Sequence, residues 1–293
     1  MIIVTGATGQ LGRMIVEKLV GLVPPKLIGV SVRNPKKASD LEGLGVRVRQ
    51  GDFNDADSLR HAFEGATQVL IVSSNARASG GDPLAQHRIA IDAAKAVGAR
   101  RIVYTSQIAA SASSAFPPAR DHAATEEMLS QSGLAWTALR HGFYAQSGLM
   151  ICGEGLKTGV IEAPSDGKVS WTAHADLAEA DAIILANEGR FDGPTPPLTG
   201  WQAIDLDEFA AIASEVLSRL IERKLLSDDE LVAKMIVRGA PEGARKFALA
   251  LYIASRNGEF AAVDPMLEQL LGRRPISMGD LLAKNASGNG AGG

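Results

Sequence analysis

His122 and Glu126, four residues apart in the segment HAATE, are the pair best placed to do acid–base chemistry in this 293-residue chain. On a helix that spacing puts both side chains on one face. An imidazole bonded to a carboxylate can orient a substrate or give up a proton near neutral pH. The competing reading is a polar helix face that happens to carry both residues. A second constellation lies at the N-terminus, where MIIVTGATGQLG runs from three apolar β-formers into glycines 6, 9 and 12 and then into an apolar-periodic segment (Met14, Ile15, Leu19, Val20). Strand, tight turn and helix in that order form a dinucleotide cradle: Gly6 turns the chain, Gly9 lets backbone amides approach a pyrophosphate, and Gly12 allows close helix packing. The helix N-terminus then offers its partial positive charge to the phosphates. Thr5, Thr8, Gln10 and Leu11 complete the expected cradle.

The next strand end decides which dinucleotide fits. An NAD site commonly places an acid there for the ribose 2′-hydroxyl. This chain has Val32-Arg33-Asn34-Pro35-Lys36-Lys37 instead, and Arg33 with Lys37 suits a 2′-phosphate. NADPH is therefore the expected cofactor, with NAD possible; a solvated basic turn is the plainer alternative. Gly51-Asp52-Phe53 and Ser73-Ser74-Asn75 follow later strands, where an acid and an aromatic can flank an adenine and small polar residues can admit a ribose, unless both are ordinary turns.

The elements needed to position these residues follow from periodicity. Leu27 to Val32, Val46 to Gln50, Val69 to Val72, Arg101 to Thr105 and Ala135 to Leu139 read as further strands. Helical segments alternate with them: one near Lys36 to Leu44, then Asp55 to Glu64, Leu84 to Val97 and Ala119 to Ser132, the last closed by Gly133. Six strands with intervening helices predict an α/β fold, a Rossmann-type doubly wound parallel sheet. Beyond residue 140, Gly153 to Gly155, Asp166-Gly167 and Gly193 to Pro197 read as turns breaking up short strands around one clear helix, Ala173 to Ala186. From Leu206 to Leu271 the pattern is almost wholly helical, with no strand expected. Phe247, Leu249, Leu251 and Ile253 alternate with alanines, so that segment is expected to be buried or to lie at an interface, leaving a homodimer open. The tail SGNGAGG is expected to be disordered.

Composition narrows the partners. Thirty basic and 33 acidic residues give a net charge of −3, which points away from nucleic acid and anionic membranes. The lone Cys152 excludes an internal disulfide and fits a reducing cytoplasm. It reads as an incidental small residue rather than a catalytic thiol. No apolar run is long enough for a membrane span, and Met1 leads straight into a core strand, so no signal peptide is expected. The five histidines lack metal-ligand spacing, so no metal is expected; His61 reads as surface.

The stretches TGATGQLG, VRNPKKA, RQGDFND, the QHR of Gln86 to Arg88, and AAKAVGARRIVYTS resemble the NmrA-like branch of atypical short-chain dehydrogenases/reductases. Within that branch the resemblance is to the group of bacterial quinone and triphenylmethane reductases. It is good to about residue 190, thins through the helical region and returns weakly at Leu267 to Leu282. It implies a dinucleotide domain over 1–145, a smaller and mostly helical substrate lobe over 146–286 that is partly interleaved with the first, and a tail at 287–293. Ordinary short-chain dehydrogenases use a Tyr with a Lys four residues later, whereas four residues after Tyr104 lies Ile108. The family's His and Glu match His122 and Glu126. Its TxLRxGxY segment matches Thr137 to Tyr144, which implies that Arg140, His141, Gly142 and Phe143 pass beside the nicotinamide. Tyr144 and Phe143 are suited to stacking on a planar substrate or to packing in the core. His87 and Thr105 join the cofactor set by the same analogy, and Lys168 and Trp171 fall in the smaller lobe. The implied activity is hydride transfer from NADPH to a quinone or other planar electron-poor acceptor, chemistry that needs no Tyr–Lys pair. The alternatives are a non-catalytic NADP-binding redox sensor and a specialised reductase or dehydrogenase of a xenobiotic aromatic compound, its substrate selected by the stretch 215–256.

Overall fold

The computed structural model describes residues 1–289, which form two compact units. The first comprises 1–112, 121–140 and 174–196. Its strands β1 (Ile2–Thr5), β2 (Ile28–Val32), β3 (Arg47–Gln50), β4 (Gln68–Ile71), β5 (Arg101–Gln107) and β6 (Ala135–His141) alternate with helices α1 (Gln10–Leu19), α2 (Ser39–Gly43), α3 (Ala56–Phe63), α4 (Pro83–Ala96) and α5 (Pro117–Ser130). After β6 the chain runs through α6 (Ala145–Thr158) and β7 (Val160–Pro164) of the second unit. It then adds α7 (His174–Ala186) and β8 (Gly193–Pro194) to the first.

The seven-stranded sheet has the order β3-β2-β1-β4-β5-β6-β8, with parallel ladders on both sides of β1. The doubly wound expectation is thus borne out. Strand order reverses between β1 and β4, and in open parallel sheets the crevice at the carboxyl ends of such strands receives the ligand. Ile3, Val69, Ile71, Ile102 and Tyr104 from the sheet pack with Leu59 and Phe63 of α3, Ile91 of α4 and Leu129 of α5. Helix starts are fixed locally. Asp55 accepts from the amides of Asp57 and Ser58 at α3, and Asp82 from those of Leu84 and Ala85 at α4, each cap contributing about 1 kcal/mol.

Among the described residues, the second unit comprises 113–120, 141–173 and 197–289. It adds α8 (Leu206–Val216), β9 (Glu222–Leu226), α9 (Asp228–Val237), α10 (Glu242–Arg256), α11 (Met266–Leu271) and α12 (Met278–Asn289). Asp205/Glu208 and Ser227/Glu230 form capping boxes at α8 and α9, the pattern of an N-cap residue followed three positions on by Glu. β7 and β9 pair in parallel, and Arg223 crosses their ends to reach the carbonyls of Ala163 (2.7 Å) and Pro164 (2.6 Å).

Four expectations for this half are corrected. A strand, β9, lies inside the stretch read as helical. Gly153 to Gly155 belong to α6 rather than to a turn, because a Cβ on Gly155 would stand 2.7 Å from Ile161 Cγ1 and the helix needs that close approach. α10 is not buried all round: Phe247 is 45% exposed while Tyr252 and Ala254 are covered. The expected disordered tail begins at Ser287, but α12 continues to Asn289; residues 290–293 lie outside the described residues. No helix among the described residues is long and apolar enough to cross a membrane.

Candidate active site

The glycine-rich turn between β1 and α1 has the geometry that a pyrophosphate requires. Gly6 adopts φ +64°, and a Cβ on Gly12 would stand 2.5 Å from the Gly6 carbonyl oxygen, so only glycine lets the helix close on the turn. Gly9 is the N-cap of α1 with no side-chain cap, and the first turn holds no acid. The first amides of the helix therefore keep their donors for a ligand. Gly6, Thr8, Gly9 and Gln10 are exposed, while Leu11 is buried as the anchor beneath them.

At the end of β2, Arg33 and Lys37 are exposed, and neither side chain has a hydrogen bond or ion pair among the described residues. Asn34 caps the turn between them by accepting from the Lys36 amide at 3.1 Å. The nearest acid in the sequence, Asp40, is ion-paired to Arg13 instead. An uncapped helix end over a bare glycine turn, with two free cations at the neighbouring strand end, fits a dinucleotide carrying a 2′-phosphate. At the end of β3, Asp52 accepts from the amide (2.9 Å) and side-chain nitrogen (3.2 Å) of Asn54, as a turn residue does. Phe53 packs against the core.

Beside the strand-order reversal, three successive amides are taken by side chains from three elements. The Val72 amide donates to Thr5 Oγ1 of β1 (2.9 Å), that of Ser73 to Thr105 Oγ1 of β5 (2.8 Å), and that of Ser74 to His87 Nε2 of α4 (2.9 Å). Ser74 Oγ bonds Gln86, and Asn75 is exposed. His87 accepts at Nε2, so its Nδ1 carries the proton and donates to Thr125 Oγ1 at 2.8 Å. Burial pushes its pKa down to about 4, which keeps the ring neutral. The side chains of Thr5, Thr105 and His87, all expected in the cofactor set, thus hold the shape of the loop 72–74.

The predicted His122–Glu126 pair separates into two. His122 Nδ1 lies 2.8 Å from Tyr104 Oη, whereas Glu126 accepts from Ser106 Oγ (2.6 Å) and from Arg140 Nε (3.2 Å) and Nη2 (2.7 Å). The imidazole–carboxylate bond suggested by the spacing is replaced because β5 presents Tyr104 and Ser106, two residues apart and on one face, to the two positions of α5. A phenol is the stronger donor and a neutral imidazole nitrogen the stronger acceptor, so Tyr104 holds His122 with its proton on Nε2. Tyr104, fully buried and edge-on to His87, and Ser106 are the residues that sequence reasoning missed. The motif YTS at the end of β5 was the available signal. On the same helix, Asp121 is held by both Arg77 Nε (2.8 Å) and Nη2 (2.6 Å), from the loop after β4.

In the second unit, the segment after Arg140 is set by backbone pairing. The Gly142 amide donates to the Leu198 carbonyl at 2.8 Å, and a Cβ on Gly142 would fall 2.2 Å from Thr172 Oγ1. His141 is buried, its ring centroid 6.4 Å from that of Tyr144. Tyr144 is half-buried and N-caps α6. Phe143, half-buried, belongs to an aromatic cluster with Phe116 (5.8 Å), Trp171 (5.5 Å) and Phe260 (4.9 Å). Phe143, Trp171 and Phe260 line a small apolar pocket together with Ile151, Leu251 and Tyr252. Lys168 is ion-paired to Glu208 at 2.8 Å. Cys152 is buried in α6, where desolvation pushes its thiol up to about 12 and leaves it unreactive.

Residues 6–187 match the family model described as NAD(P)H-binding. Quinone oxidoreductase 2 of Escherichia coli (strain K12) is 34% identical over 281 residues, 96% of either chain. The crystal structure of the NADPH-dependent quinone oxidoreductase from Escherichia coli complexed with NADPH superimposes with a TM-score of 0.90 at 32% identity, covering 97% of this chain and 99% of that one. The Citrobacter sp. triphenylmethane reductase complexed with NADP(H) gives 0.87 at 31% identity, covering 98% and 100%.

Proposed function

The chain belongs to the NAD(P)H-binding, NmrA-like family, and from that premise we propose that it is an NADPH-dependent oxidoreductase that transfers a hydride to a quinone or a related planar, electron-poor aromatic acceptor. The observation that carries the reading is similarity along essentially the whole chain to a quinone oxidoreductase, in a molecule that keeps the phosphate cradle and both free cations after β2. When bound, the nicotinamide supplies the hydride.

The chain's own residues divide the remaining work. The amides of Gln10 and Leu11 at the open end of α1 would hold the pyrophosphate, and Arg33 with Lys37 would hold the 2′-phosphate. Thr5, Thr105 and His87 fix the loop 72–74, which would receive the ribose. His122, with its proton kept on Nε2 by Tyr104, hydrogen-bonds the acceptor and can return a proton to it. The compartment this reading calls for is the cytoplasm, where a lone, buried Cys152 needs no partner.

The test is NADPH consumption. Purified protein mixed with NADPH and a panel of benzo- and naphthoquinones should deplete the nicotinamide absorbance well above the uncatalysed rate, with NADH a poorer donor. Tight NADPH binding without consumption by any acceptor would overturn the reductase reading in favour of an NADP-binding sensor.

A further inference from the structure

We propose that Arg140 is the donor that holds the charged oxygen left on an oxygen-bearing acceptor once hydride has reached it, with Glu126 and Ser106 as the residues that aim it. The inference rests on the reductase reading above. Glu126 is buried near the middle of α5, and both its oxygens are occupied: Oε1 by Ser106 Oγ at 2.6 Å and Arg140 Nε at 3.2 Å, Oε2 by Arg140 Nη2 at 2.7 Å. A guanidinium held through Nε and one Nη cannot rotate, and its planar geometry directs the other nitrogen, Nη1, away from the carboxylate. Nη1 has no partner among the described residues, and the Arg140 side chain is 31% exposed. The Arg140 amide is itself fixed to Thr195 Oγ1 at 3.0 Å. Arg140 and Ser106 are the penultimate residues of β6 and β5, so the free donor stands at the carboxyl edge of the sheet, where the ligand of such a sheet binds. Glu126 is one helical turn from His122. A rigid donor with an open N–H beside a proton-bearing imidazole matches a developing oxyanion better than a diphosphate, which the cradle at α1 already serves.

The chemistry separates two acceptor classes that the same reaction serves. A neutral quinone that accepts hydride at one carbonyl oxygen forms an O–H bond there and carries the hydride's single negative charge on its other oxygen. The resulting hydroquinone monoanion takes one proton to become neutral. A triarylmethyl cation accepts hydride at its central carbon, forms a C–H bond and becomes neutral, with no charged oxygen and no proton consumed. Arg140 therefore supports the first reduction and is nearly irrelevant to the second.

The experiment compares both acceptors in Arg140→Gln and, because that change alone strands the Glu126 carboxylate, in the double variant Arg140→Gln/Glu126→Gln, with NADPH affinity measured by fluorescence titration. The expected result is a fall in kcat/KM of about 100-fold for a benzoquinone against about threefold for a triarylmethane dye, with NADPH affinity nearly unchanged. Within a quinone series, the loss should grow with the basicity of the hydroquinone oxygen, a readout that does not need the dye. Equal losses for both acceptor classes, a loss independent of hydroquinone basicity, or a matching loss of NADPH affinity would overturn the proposal and return Arg140 to cofactor binding or packing. If the unsubstituted protein reduces neither acceptor, the reductase reading fails first and this proposal with it.

Discussion

The two free cations at 33 and 37 have opposite consequences for the two nicotinamide dinucleotides. A 2′-phosphate gains charge-assisted hydrogen bonds from Arg33, while a 2′-hydroxyl gains little from it. Arg33→Glu should therefore weaken NADPH binding by roughly 10- to 100-fold, the worth of about 1.5–3 kcal/mol for a charged hydrogen bond, and leave NADH binding much less affected. Titrating each cofactor into the variant checks this, and equal losses for both would remove the 2′-phosphate role. Residue types were legible at this scale and residue partners were not. HAATE places His122 and Glu126 on one helix face, as read, but the groups that meet them, Tyr104 and Ser106, lie on a strand about twenty residues upstream. Spacing along one helix carries no information about what a sheet presents to it. The same limit applied to His87, whose place on α4 marked it for the crevice while its use of both ring nitrogens emerged only from the fold.

At the scale of elements, period and punctuation served well where strands are aliphatic and buried. β1, β2, β4 and β5 read directly as apolar runs, and Asp55 marked the start of α3. The misreadings share one cause, tertiary contact overriding local preference. ERKLL of β9 has no β-branched residue and is largely exposed, and it becomes a strand only by pairing with β7. Gly153 to Gly155 would end an isolated helix, yet α6 runs through them to approach Ile161.

The link between α4 and the loop after β4 has a consequence in acid. His87 titrates near 4 in the folded chain because burial disfavours its charged form, and near 6.5 in the unfolded one. The unfolded chain thus binds the extra proton between those values, so the stability is complete above pH 6.5 and is lost as pH falls toward 4. The expected cost is about 2 kcal/mol at pH 5 relative to pH 7. Urea unfolding at both pH values should show this decline in the unsubstituted protein and a smaller one in His87→Gln. The same decline in both would show that other groups carry the acid sensitivity.

For the molecule as a whole, the sequence motifs located the coenzyme more securely than the acceptor, and the structure explains why. The cradle and the basic turn are short, contiguous and chemically specific, whereas the aromatic surface of the second unit is assembled from Phe116, Phe143, Trp171 and Phe260, scattered over more than a hundred residues. No local pattern announces such a cluster, and Phe143 was equally readable as a contact or as core. The central claim is that the protein carries a hydride from bound NADPH directly to a planar acceptor. The most direct measurement supplies NADPH deuterated at both C4 positions together with a triarylmethane dye and determines the isotope at the central carbon of the reduced dye by mass spectrometry and NMR. One deuterium at that carbon, which does not exchange with water, is the predicted result; hydrogen from solvent at that carbon, or no reduced dye, would contradict it.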